Sequence, residues 1–105
     1  MALISYGDIS MIDDTRIKMI AERKGFEAQT HKLVEEMAEL TVAIHHLNRT
    51  DNPQQRRADF IEELGDVMII ASQLRCLLSP PERITLSESI SYKLNREIKR
   101  MEQGQ

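Results

Sequence analysis

The chain has 105 residues, 41% hydrophobic and 30% charged, which is globular rather than disordered composition and enough for one modest core. Its net charge of −3 speaks against a nucleic-acid polymer as partner, which would call for a basic excess. One cysteine excludes an intrachain disulfide and fits a reducing, cytoplasmic setting; no basic-then-apolar leader opens the sequence, and the longest apolar run, Val67 to Ala71, is too short to span a membrane.

Four helices are predicted, with no competing strand pattern, repeat or low-complexity segment. The first covers about 10–24, starting near Ser10 or Asp13 and stopping at Gly25. The second covers about 27–48, where Leu33, Met37, Leu40, Ile44 and Leu47 recur in steps of four and three. NRTDNPQ (48–54) is the strongest break: Asp51 or Asn52 is placed to cap the next helix, and Pro53 suits its first turn. The third helix covers about 53–78 on a stripe of Phe60, Leu64, Val67, Ala71 and Leu74. Ile61, Met68, Ile69 and Ile70 widen that stripe until most sides are apolar, as in a helix surrounded by others of its own chain or of a partner. Ser79-Pro80-Pro81 ends it. The fourth covers about 82–102, with Ile84, Leu86, Ile90, Leu94, Ile98 and Met101 as contacts. The expected fold is all-α, an antiparallel four-helix bundle forming one domain over 1–105.

The second helix crowds carboxylates. KLVEEMAEL (32–40) holds Glu35, Glu36 and Glu39, and EELGD (62–66) on the third helix holds Glu63 and Asp66. Like charges three and four apart on a helix repel. On a helix of 3.6 residues per turn, Glu36 and Glu63 border their apolar stripes, and Glu39 and Asp66 each lie about 60° further away. Folding the hairpin at Asp51 puts Glu39 twelve residues before the turn and Glu63 twelve after; Glu36 and Asp66 are fifteen away on either side. Equal distances mean equal heights, so four carboxylates should face one another about 18–22 Å from the loop. Cations would resolve their repulsion. Oxygen-only ligands favour magnesium or manganese over zinc. Acids holding such ions are an apparatus for hydrolysing phosphoanhydrides. The competing account is a solvated acidic face with Lys32 bridging to Glu36; it suits Glu35 and Glu62 better than it suits the matched heights.

KLVEEMAEL followed by EELGDVMI also resembles the MazG-like all-α nucleoside triphosphate pyrophosphohydrolases, whose signature is EExxE, a spacer, then ExxD. Here it reads Glu35-Glu36-x-x-Glu39, 23 residues, then Glu63-x-x-Asp66. The well-matched part spans about 32–75; SYKLNREIKR (91–100) matches less specifically. The resemblance implies hydrolysis between the α and β phosphates of a (deoxy)nucleoside triphosphate, giving a monophosphate and pyrophosphate. It implies magnesium on Glu36, Glu39, Glu63 and Asp66, with Glu35 behind these ligands or assisting the attacking water. Lys93, Asn95 and Arg96 would meet phosphate or sugar, and the chain would be a homodimer or homotetramer with sites completed by neighbouring copies. Relatives preferring pyrimidine deoxynucleotides often place tryptophan around the base. This chain has none, which leaves Phe26, Phe60, Tyr6 and Tyr92 as stacking candidates, Phe60 reading as core.

Other residues have plainer readings. Lys93, Arg96, Lys99 and Arg100 form a basic strip that a helix C-terminus favours without any ligand. Adjacent His45 and His46 point about 100° apart and do not easily share one ion, so they read as partly exposed and favoured by the helix dipole. His31 lies one turn before Glu35, in reach of a hydrogen bond. Cys76 reads as a buried thiol, and Met11, Met19, Met37, Met68 and Met101 as core or interface filler. A di-iron carboxylate bundle needs Glu-x-x-His, which does not occur here. The alternative to an enzyme is a non-catalytic helical dimer that binds nucleotide or serves assembly.

Overall fold

The structure, a computed structural model, describes residues 14–104. They form α1 (Thr15–Lys24), α2 (Phe26–His46), α3 (Pro53–Cys76) and α4 (Pro80–Glu102), and no strand occurs among them. The all-α class read from the periodicity is the class observed.

The expected helix starts Ser10 and Asp13, like Tyr6 and Met11, lie outside the described residues. α1 opens at Thr15 behind Asp14, whose carboxylate accepts the Arg16 backbone N–H at 2.9 Å and the Arg16 guanidinium at 3.0 and 2.7 Å. Those bonds hold the Asp14 carboxyl down at about 2. Gly25 then ends α1 and caps α2 with no intervening loop, at φ 88° and ψ 163°. Only glycine occupies that region readily.

Asn52 precedes α3 in the left-handed region at φ 50°, which a short polar side chain tolerates, and Pro53 opens the helix. α4 begins at Pro80, two residues earlier than expected. The prolines fill its first turn, and Ser79 and Glu82 cap it reciprocally, N–H to side chain, at 2.8 and 3.3 Å.

α2 and α3 form the antiparallel hairpin, and α1 lies mainly along α3. Two side-chain contacts fix the register. Gln29 on α2 donates to Gln73 on α3, and Arg56 Nη1 lies 3.3 Å from His46 Nδ1. In each pair the partners are equally far from Asp51, so the hairpin turns where the spacing of the acids placed it.

The buried line differs from the expected one. On α2 it runs Gln29, Glu36, Ala43, at intervals of seven. Met37 and Ile44 of the expected stripe are exposed, whereas Leu33, Leu40 and Leu47 are half-buried. On α3, Ile70 and Gln73 are buried, Phe60, Val67 and Leu74 are half-buried, and Leu64 and Ala71 are exposed. Cys76 is half-buried rather than enclosed. The reason is geometric: these stripes are wide enough for more than one neighbour, and within one chain a single helix covers only part of the width.

α4 stands apart. None of its residues is buried, and among the described residues it takes part in no extended helix packing. Ile84, Ile90, Leu94, Ile98 and Met101 are all at least half exposed. The radius of gyration is 16.8 Å, against about 13 Å for a compact domain of this length. Among the described residues, no helix is long and apolar enough to cross a membrane.

Candidate functional site

The hairpin register brings three acids together. Glu36 is buried on α2, Glu39 lies one turn on and is exposed, and Glu63 faces them half-buried from α3; oxygens of all three lie within 4.8 Å of one another. Glu36 Oε2 and Glu63 Oε2 are both buried and accept no hydrogen bond. A buried acceptor left unpaired is costly, more so when it carries charge. Burial pushes the Glu63 carboxyl above the usual glutamate range, reinforced by the charges of Glu39 and Asp66, a hydrogen bond with Glu39 and the charge of Glu36.

Lys32 answers part of this charge. Its Nζ lies 3.2 Å from Glu36 Oε1 and 3.4 Å from Glu35 Oε2, and the bond to Glu36, then that to Glu35, raises the lysine above its ordinary value. The bridge expected of a solvated acidic face is therefore present. It engages one oxygen of Glu36 and leaves the Oε2 atoms of Glu36 and Glu63 without a partner. A converging set of carboxylates with orphaned oxygens has the donor chemistry of a hard divalent cation.

The remaining expected site residues fall in three places. Asp66 is half-buried on α3 at the height of Glu36; its charge reaches Glu63, but it stands outside the three-acid group. Glu35 is exposed and connects to Glu36 through Lys32. Lys93, Asn95 and Arg96 lie exposed on α4, which does not pack over the acids of its own chain. A depression on α4 alone is lined by Tyr92, Asn95, Arg96, Ile98, Lys99 and Glu102, with the Arg96 guanidinium 5.7 Å from the centre of the Tyr92 ring, a cation–π contact.

Sequence reasoning missed the ground between the acids and the hairpin turn. A cavity of about 290 Å³ is lined there by Glu39, Val42, Ala43, His46, Asp59 and Glu63. His46 is half-buried, in keeping with its partly exposed reading, and Arg56 reaches it from across the turn. The available signal was the register: His46 and Arg56 each lie five residues from Asp51, as Glu39 and Glu63 each lie twelve.

Among protein families, the MazG nucleotide pyrophosphohydrolase domain matches residues 24–104, which takes in α2 to α4 and both acidic pairs. No curated protein and no solved structure matches the chain.

Proposed function

Since this chain belongs to the MazG nucleotide pyrophosphohydrolase family, we propose that it hydrolyses the α–β phosphoanhydride of a (deoxy)nucleoside triphosphate, releasing a monophosphate and pyrophosphate. The observation that carries this reading is the convergence of Glu36, Glu39 and Glu63 with two buried oxygens left unpartnered. These three, with Asp66 at the height of Glu36, would hold magnesium or manganese. The ion, when bound, supplies positive charge against the phosphates and makes a water acidic enough to attack.

The chain's own residues do the rest. Glu36 and Glu63 border buried surface on facing helices, so the hairpin presets their separation before any ligand arrives. Glu35, exposed beside them and paired with Lys32, stands behind these ligands or assists the attacking water. Lys32 spans Glu35 and Glu36 and limits their repulsion. Lys93, Asn95 and Arg96 supply contacts to phosphate or sugar. α4 does not reach the acids of its own chain, so these contacts come from a neighbouring copy in a homodimer or homotetramer. The exposed apolar side chains of α4 and of the α2–α3 hairpin support that assembly.

Replacement of single acids tests the assignment. Glu39→Gln and Asp66→Asn should each lower pyrophosphate release about a hundredfold or more while helix content is unchanged. Retention of magnesium-dependent turnover in both variants would overturn the site.

A further inference from the structure

Building on the hydrolase reading, we infer that the cavity between the acids and the hairpin turn receives the nucleoside part of the substrate, where His46, oriented by Arg56, donates its Nε2–H to an acceptor atom.

The tautomer follows from the partner. Arginine carries five donors and no acceptor, so the 3.3 Å contact between Arg56 Nη1 and His46 Nδ1 requires Nδ1 to accept. The ring proton then sits on Nε2, and the imidazole presents a donor on its other side. Arg56 is itself anchored, because its Nη2 donates to Asp51 Oδ2 at 3.0 Å and its side chain is only 19% exposed. An anchored donor fixes the orientation of the ring. Arg56 is thus a positioning residue, and His46 is the group that meets substrate.

The location says which part of a nucleotide arrives there. His46 lies two turns beyond Glu39 on α2, about 10 Å along the axis. A nucleotide held by its phosphates at the acids extends its sugar and base over that distance. The cavity has apolar walls at Val42 and Ala43 and three carboxylates, Glu39, Asp59 and Glu63. Those carboxylates disfavour a bare phosphate beside His46 and suit an uncharged nucleoside. Asp59, held by Gln55 Nε2 at 2.8 Å, adds a fixed acceptor one turn from Glu63. Donor and acceptor together are the means of reading a polar edge, whether of the base or of the sugar. A site built to hydrogen-bond a substrate discriminates strongly against an analogue lacking the matching group.

The test is steady-state pyrophosphate release by the full chain with magnesium, across the natural ribo- and deoxynucleoside triphosphates. His46→Leu should raise KM for the preferred nucleotide about ten- to hundredfold, far more than it lowers kcat. His46→Gln, which keeps a donor near the place of Nε2, should restore most of the difference. Loss of discrimination among bases at a fixed sugar assigns the contact to the base; loss between ribose and deoxyribose assigns it to the sugar. Arg56→Met should raise KM in the same direction, and Arg56→Lys should do so less. Nitrogen-15 spectra of the histidine rings in the unmodified protein should show His46 as the Nε2–H tautomer, as the Arg56 contact requires; the KM-against-kcat split and the rescue by His46→Gln are what a purely structural role would not give. A His46→Leu enzyme with unchanged KM and unchanged selectivity, or a His46 protonated on Nδ1, overturns this inference and leaves the hydrolase reading standing. No turnover of any nucleotide by the unmodified chain overturns both.

Discussion

Gln29 and Gln73 share a buried hydrogen bond between α2 and α3, each twenty-two residues from Asp51. They mark the far end of the hairpin as His46 and Arg56 mark the near end, and Glu39 and Glu63 meet between them at the same register. Gln73 is 2% exposed and Gln29 5% exposed, so neither amide has water as an alternative partner. Gln73→Leu should therefore destabilise the fold by about 1–3 kcal/mol, the cost of leaving the Gln29 amide buried and unpaired. The Gln29→Leu, Gln73→Leu double variant should recover much of that loss. Urea unfolding of the two single variants and the double variant checks this; additive losses would contradict it.

Glu63 makes stability depend on pH in the less common direction. Burial and the neighbouring acids raise its carboxyl above the ordinary glutamate value of about 4.5, so the folded state binds a proton more readily than the unfolded chain. Its contribution is complete below about 4.5 and is lost as pH rises through the raised folded value. In a chelating buffer, melting temperature should fall across that window, and Glu63→Gln should flatten the trend. Adding magnesium at neutral pH should raise the melting temperature of the unmodified chain and do less for the variant. Circular dichroism melts over a pH series read both effects; an unchanged slope in Glu63→Gln would refute the assignment.

Gly25 joins α1 to α2 in a conformation that other residues avoid. A Cβ there meets no atom within 4 Å, so any penalty is backbone strain and not a clash. Gly25→Ala should cost about 1–3 kcal/mol. Thermal melts should show it, and a loss below a few tenths would mean that the junction relaxes freely.

The separation of α4 from the acids predicts complementation between copies. Arg96→Ala and Glu63→Gln chains should each be nearly inactive. Mixed and allowed to exchange subunits, they should regain turnover well above the sum of the two alone, because some sites then combine an intact α4 with intact acids. Sedimentation equilibrium should find more than one copy per particle in the unmodified protein, and Ile98→Asp should shift it toward the monomer. A monomeric unmodified protein with full turnover would contradict the arrangement.

Much of this was legible in the sequence because helices are local. Apolar periodicity, Gly25, the Asp51–Pro53 break and the prolines at 80 and 81 mark the four helices without any knowledge of tertiary contacts. The facing of Glu39 and Glu63 needed one further step, counting outward from the turn. What the pattern could not give was which side of each helix its neighbour covers. Met37, Ile44 and Leu64 belong to apolar stripes yet are exposed in the chain, while Glu36 and two glutamines are buried. A stripe records apolar surface, not which part of its width a neighbouring helix of the same chain covers. His46 is partly exposed, as its place on α2 suggested, but its contact with Arg56 was not legible for a related reason. Its environment is set by Arg56 across the hairpin, and helical periodicity on α2 carries no trace of that residue.

The most direct test of the central claim is product analysis. The chain should be incubated with each natural ribo- and deoxynucleoside triphosphate and magnesium, and pyrophosphate and inorganic phosphate measured separately. Pyrophosphate and nucleoside monophosphate should appear in equal amounts from at least one nucleotide, and chelation and Glu39→Gln should each abolish their release. Release of inorganic phosphate with nucleoside diphosphate, or no turnover of any nucleotide, would contradict it.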